Sequence, residues 1–133
     1  MKDFYWINLD DKVDKFDWIQ INEKGAKPGP RSKHALIGGK THIYLVGGLC
    51  SDVASSDKIY AFDPHKETWE LLKPEGEALP EIDSFGHVYL QQGEEEKIIL
   101  IGGYNAAKAE YLNSVYEYNI TKNKVSVLFA DCQ

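Results

Sequence analysis

The chain has 133 residues, 43% hydrophobic and 27% charged, with a formal net charge of −6, which suits one domain of ordinary composition. The acidic balance and the lack of any Lys/Arg cluster argue against nucleic acid as the main partner, because phosphate binding rests on clustered cations. No apolar run nears the roughly 20 residues that span a bilayer, and Met1-Lys2-Asp3-Phe4 lacks the regions of a secretory signal, so a cytoplasmic location is expected, with no membrane partner and reduced thiols at Cys50 and Cys132.

In chain order, Tyr5 to Leu9 and Phe16 to Ile21 read as strands. After a link from Asn22 to Lys33 come His34 to Ile37 and His42 to Val46, joined by the tight Gly38-Gly39-Lys40 turn, and the second of these is closed by Gly47-Gly48. Lys58 to Phe62 and Thr68 to Leu72 follow, joined across Asp63-Pro64-His65-Lys66, where proline presets a turn dihedral. Beyond a second link, Lys73 to Phe85, the series repeats as Gly86 to Leu90, Lys97 to Ile101 closed by Gly102-Gly103, Ser114 to Asn119, and Lys124 to Leu128. All are short alternating or apolar runs bounded by turn residues, which is the signature of strands.

The landmarks recur together at a spacing of about 50 residues. The two diglycines match, Trp18 is echoed by Trp69, Pro30 by Pro80 and His34 by His87. Ile59-Tyr60-Ala61-Phe62-Asp63 returns as Val115-Tyr116-Glu117-Tyr118-Asn119, with Val125 standing where the first copy has Trp69. A diglycine after a buried strand, an aromatic strand with Tyr, then a turn and a Trp resembles the Kelch repeat, and the resemblance covers nearly the whole chain. It implies an all-β fold of β-propeller blades, each a four-stranded antiparallel sheet with strands a to d from the inside outwards. Residues 1–24 then form a half blade (strands c and d), 25–76 a Kelch repeat blade and 77–133 another. Propellers typically close with about four to eight blades, so this length implies an incomplete ring: a fragment of a larger propeller, with self-association into a ring as the alternative. The starting Met before a half blade suggests a native N-terminus, completed in many propellers by strands from the C-terminus.

Simple physics accounts for the landmarks. The glycines end strand b where the chain turns sharply and passes close to neighbouring backbone. Trp18 and Trp69 offer large flat surfaces on outer strands, with an indole N–H that can find a partner at the sheet edge.

Catalytic chemistry is poorly supported. His34 and His87 take matching positions in two repeats, which suits ordering of an inter-blade turn through the ring nitrogens better than metal binding or proton transfer; His42 and His65 stand alone. There is no His-x-x-x-His or Cys-x-x-Cys spacing for zinc, no phosphate-cradling loop and no nucleophile elbow, so no catalytic residue, metal or cofactor is implied. Glu75, Glu77, Glu81 and Asp83 in the second link, and Glu94, Glu95 and Glu96 in the a–b hairpin, read as solvated loop residues on opposite faces, too far apart for a carboxylate pair. Asn119-Ile120-Thr121 matches a glycosylation sequon only formally in a chain without a secretory signal.

In such a blade the b–c loops and the d–a links emerge on one face, and here both are long: Leu49 to Asp57 and Tyr104 to Asn113, with Asn22 to Lys33 and Lys73 to Phe85. Long loops on a rigid frame are where recognition concentrates. Similar Kelch domains bind partner peptides there with Arg, Ser, Tyr and Asn, so the resemblance implies Arg31, Ser32, Ser51, Asp52, Ser84, Phe85, Tyr104 and Asn105 as contacts. Arg31 has a fork suited to a carboxylate or phosphate or to bracing the next blade, and the second blade replaces it with Ser84. Tyr104 to Leu112 is rich in helix formers and is expected to form one or two helical turns at the rim, as a binding element or as a spacer that packs Tyr111 and Leu112 on the blade. The function expected is a non-catalytic protein–protein interaction module, a scaffold or adaptor presenting loops to a protein or peptide. The alternative is part of a Kelch-type enzyme, or of a ubiquitin-ligase substrate receptor, whose other blades or domains lie outside this sequence.

Overall fold

The computed structural model describes residues 4–7, 9, 17–51 and 54–130, and those residues form strands, turns and loops without a helix. β1 (Tyr5–Ile7) and β2 (Trp18–Gln20) make a two-stranded antiparallel half blade. The expected second strand began at Phe16, which lies outside the described residues. The first full blade comprises β3 (Lys24–Gly25), β4 (Ala35–Gly38) and β5 (Ile43–Val46), followed by β8 (Ile59–Asp63) and β9 (Thr68–Leu71). Between β5 and β8 the b–c loop makes its own small hairpin, β6 (Leu49–Ser51) with β7 (Ala54–Ser55). β10 (Glu75–Gly76), β11 (Gly86–Gln92), β12 (Glu95–Asn105), β13 (Glu110–Asn119) and β14 (Lys124–Phe129) form the second blade.

Each full blade holds the four antiparallel strands expected and a fifth, two-residue strand from the preceding link. β3 runs parallel to β9 and β10 parallel to β14, at the outer edge of each sheet. The bond of Glu75 N–H to the Asn123 carbonyl (2.9 Å) belongs to this edge pairing, which gives the outermost strand a partner where it would otherwise be a bare edge.

Alternation along the strands divides the first blade's residues between two cores. Ile37, Tyr44, Val46, Ile59 and Ala61 face the second blade and bury Ile98, Leu100, Tyr118 and Val125. Leu45, Phe62 and Trp69 face the half blade and pack with Phe4 and Ile21. Trp69 is therefore a core residue, 3% exposed, with its ring 4.9 Å from that of Phe62. Its buried Nε1 has no hydrogen-bond partner among the described residues, contrary to the expected edge bond, because aromatic packing surrounds the indole. Trp18 stands on the two-stranded half blade, 70% exposed, and covers no gap between the described sheets.

Among the described residues, the half blade covers only the outer part of the first blade's surface. A cavity of about 370 Å³ lined by Phe4, Pro28, Leu36, Leu45 and Trp69 remains over the inner strands, and Leu36 is 47% exposed there. At the other interface β11 and β12 cover the equivalent region, and Ile37 is buried.

On the a–b side the two blades are clamped through Glu96. Its Oε1 accepts the Lys40 backbone N–H and the Tyr89 hydroxyl, both at 2.8 Å. Glu94 is exposed, as expected, and from solvent pairs with Lys40 Nζ at 3.3 Å, whereas Glu96 is a bonded inter-blade anchor. Burial, with Glu96 nearby, pushes the Tyr44 hydroxyl up to about 12. Tyrosine is neutral when protonated, so the folded state favours the protonated form. Stability from this group is complete below pH 10 and is lost as pH rises toward 12. Tyr44→Phe is expected to flatten the alkaline limb of a stability–pH profile measured by urea unfolding.

The segment expected to be helical is a β-hairpin. At Gly102 and Gly103, both at positive φ, the register shifts by a bulge that sets Asn113 and Ser114 of β13 against Gly102, after which the chain rejoins the ladder, with Tyr104 opposite Tyr111 and Asn105 opposite Glu110. Asn105 Oδ1 accepts the Lys108 N–H at 3.0 Å and fixes the turn, which ends in left-handed Ala109. Strand pairing overrides the helix propensity of the alanines. Tyr111 is 87% exposed and does not pack on the blade.

Candidate recognition face

The d–a links and b–c loops do share one face, where backbone bonds join them. Ser32 bridges Leu49, Ile82 bridges Ser56, and Asp83 bridges Tyr104. Gly48 N–H donates to the Ile82 carbonyl (2.8 Å) and Ser84 N–H to the Lys33 carbonyl (3.1 Å), so the links of successive blades are tied to one another.

Strand register corrects the repeat alignment. Ala35 pairs with Val46 as Gly86 pairs with Ile101. His34 therefore corresponds to Phe85, and His87 to Leu36; the two histidines are not equivalent. The Arg31 counterpart is Ile82, which is buried, and Ser84 corresponds to Lys33, both with left-handed φ. Asp83 corresponds to Ser32. His34 Nδ1 is buried without a partner among the described residues, so that nitrogen orders no turn there. Burial, assisted by the Arg31 charge, holds the imidazole below its ordinary range and so in the neutral form at physiological pH.

Arg31 braces its own blade. Its Nη1–H donates to the Gly47 carbonyl (3.0 Å), its Nε–H donates to Gly29 (3.2 Å), and the guanidinium lies 5.1 Å from the centre of the Tyr60 ring. Cation–π contact and two carbonyls orient the fork but leave other N–H groups uncommitted among the described contacts. Ser32 and Ser84 are exposed, Phe85 is half-buried against the core, and Tyr104 is half-buried beside Tyr111. Asn105 is buried and committed to its turn. The Ser51 backbone lies in β6, and Asp52 is outside the described residues.

Asp83 was expected in a solvated loop; it is 1% exposed and is the polar centre of this face. Its Oδ2 accepts the Ser55 hydroxyl and its Oδ1 the Ser84 hydroxyl, each at 2.7 Å. Ser55 Oγ in turn accepts the Ala106 N–H at 2.9 Å. One carboxylate thus links the first blade's b–c hairpin, the inter-blade link and the second blade's b–c hairpin. The sequence carries little sign of this, because Ser55 lies far from Asp83 along the chain and the link is rich in acids. The Asn119 side chain is likewise committed: it is buried and accepts the Lys122 N–H at 2.9 Å, which leaves a glycosyl group no room.

Antiparallel sheets side by side, each with a diglycine at positive φ closing the apolar run of its second strand, are the pattern of a Kelch-type β-propeller. A family model for the Attractin/LZTR1 beta-propeller matches residues 5–131. The chain belongs to that family. It is 30% identical over 98% of its length to a Rho GTPase-activating protein, gacHH, of Dictyostelium discoideum. It is also 28% identical over 87% of its length to acyl-CoA-binding domain-containing protein 4 of Arabidopsis thaliana, and 27% identical over 80% to human Kelch domain-containing protein 10. The matched segments are 8%, 16% and 24% of those relatives, so the chain spans less than a quarter of each.

Proposed function

We propose that the chain is a non-catalytic protein–protein interaction module, a cytoplasmic scaffold or adaptor that presents its b–c loops and d–a links to a protein or peptide partner. Support comes first from the stitching of those loops into one continuous surface around buried Asp83. A face whose loops are fixed in advance loses little conformational entropy on binding. Arg31, Ser32, Ser84, Phe85 and Tyr104 are the contacts this reading assigns, together with Ser51 and Asp52 from the sequence, and Asn105 holds the hairpin that carries Tyr104. The uncovered inner strands beside the half blade favour completion of the ring by further blades or by another copy of the chain.

The test is quantitative enrichment of bound proteins on the immobilised chain, compared with Ser32→Arg and Arg31→Ala. Ser32→Arg alters only an exposed side chain and is expected to lower specific partners about tenfold without changing stability. Arg31→Ala is expected to lower them similarly and to cost about 1–2 kcal/mol of stability, from the lost carbonyl bonds and the stack on Tyr60. An unchanged set of partners with both variants would remove this face from the reading.

A further inference from the structure

The two full blades differ at equivalent positions on the sheet face that each turns away from the half blade. In the second blade Lys97 lies early in strand b, and its Nζ stands 3.2 Å from Glu117 Oε2 and 3.8 Å from Glu95 Oε2. Register sets Ile98 against Tyr118 and Ile99 against Glu117, as it sets Ile43 against Phe62 and Tyr44 against Ala61. His42 is therefore the counterpart of Lys97, and Ala61 of Glu117. Glu70, opposite Ala61, matches Ser126, opposite Glu117. The first blade thus keeps a carboxylate on this face, moved one strand outwards, but has no lysine at the place where the second blade supplies its own.

Alanine where the other blade has glutamate leaves space. A cleft of about 170 Å³ opens between the blades there, lined by His42, Tyr44, Ala61 and Glu70 of the first and by Tyr118 and Asn123 of the second. Such a volume has room for several waters, at about 30 Å³ each, or for the end of a lysine side chain. Buried Tyr44 and Tyr118, with rings 6.5 Å apart and steeply inclined, close the cleft inwards, and exposed Glu70 stands where it opens. Glu70 takes part in no salt bridge among the described residues. The Tyr118 hydroxyl donates to Asn123 Oδ1 at 2.9 Å, which leaves lone pairs on its own oxygen. Burial, with Tyr44 and the Glu70 charge in reach, pushes that hydroxyl well above the usual tyrosine range, as a negative potential inside the cleft requires.

We infer that this cleft binds an alkylammonium group, the end of a lysine side chain from a partner protein. An ammonium is all donors and no acceptor, and the Glu70 carboxylate and the Tyr118 oxygen are acceptors. The rings of His42 and Tyr44, 6.4 Å apart, add faces that favour a cation. The site is on the a–b side of the blades, opposite Arg31 and Asp83, and stands apart from the reading of the loop face.

The probe is N-acetyl-lysine methylamide, titrated into the isotopically labelled chain with shifts read by NMR. Saturable shifts are expected at His42, Tyr44 and Asn123, with Arg31 and Ser84 unmoved. The norleucine analogue, of similar length without the charge, is expected to bind about tenfold more weakly or worse. Glu70→Gln, at an exposed position, should weaken the lysine probe about threefold or more. His42→Lys gives the first blade the second blade's own cation and should fill the cleft and abolish the response. Should that variant not fold, Glu70→Gln and the norleucine probe decide. Equal affinity for the norleucine probe, unchanged binding by either folded variant, or shifts that spread over the acidic surface without saturating would overturn the inference.

Discussion

Replacing Gly48 or Gly103 by alanine is expected to cost roughly 3 kcal/mol or more, a large part of the stability of any domain this size. Gly48 sits at φ 96° and Gly103 at φ 115°, where a side chain is strained whatever space surrounds it. Space is missing too. A Cβ on Gly48 would lie 2.6 Å from His34 Cβ and 2.9 Å from the Ser32 carbonyl oxygen; one on Gly103 would lie 2.7 Å from Ile82 Cγ1 and 2.9 Å from the Asp83 oxygen. Neither oxygen can yield, since they accept the Leu49 and Tyr104 amides at 2.8 Å. Strain and overlap therefore add, at the point where inner strand, link and neighbouring blade meet. Urea unfolding followed by circular dichroism measures the loss, with Gly29→Ala as the control because nothing lies within 4 Å of its added carbon. A loss below about 1 kcal/mol at both sites, comparable to an ordinary Gly-to-Ala change, would show that the link moves aside and that the diglycine is not the hinge of the blade.

Those glycines were also the most legible part of the sequence, and for the same reason: a backbone requirement that only one residue type meets leaves a mark that survives in both repeats. Strands bounded by turn residues were legible on similar grounds, since period-two burial is a local pattern. The histidine alignment was misread because the inner hairpins differ in length. β4 has four residues and β11 seven, so matching residue types across the repeats slipped His34 off its true counterpart, Phe85. Tyr104 to Leu112 was misread because helix propensity is local, whereas the bulge and the Asp83 bridge that hold the hairpin depend on a link some twenty residues upstream. Arg31 was open to two readings, a partner contact or a brace to the next blade, and the carbonyl of Gly47 and ring of Tyr60 show that the blade it braces is its own.

Asp83 is the hardest residue to read from sequence, and Asp83→Ala is expected to have the second largest effect, about 2–3 kcal/mol. Removing the carboxylate strands the Ser55 and Ser84 hydroxyls, which both donate to it at 2.7 Å. A buried donor without an acceptor costs about 1–3 kcal/mol. Ser84 is exposed and can turn to water, whereas Ser55 is buried and keeps only the distant Tyr104 carbonyl, at 3.5 Å. Most of the loss should therefore run through Ser55, and Asp83→Ala combined with Ser55→Ala should lose much less than the sum of the two, a coupling of about 1 kcal/mol or more in a double-mutant cycle. The damage should also be directional. Ser55 Oγ holds the Ala106 N–H, so its displacement frees the turn of the β12–β13 hairpin, while the Asp83 backbone still bridges Tyr104. Faster amide exchange at Ala106, with the core amides of Ile98 and Leu100 changed only as far as global stability falls, is the expected signature. Uniform acceleration across the blade would instead make Asp83 a residue of general stability. The selective pattern would mean that one buried carboxylate sets the pose of the hairpin bearing Tyr104 and Tyr111, and that the recognition face is fixed from beneath before any partner arrives.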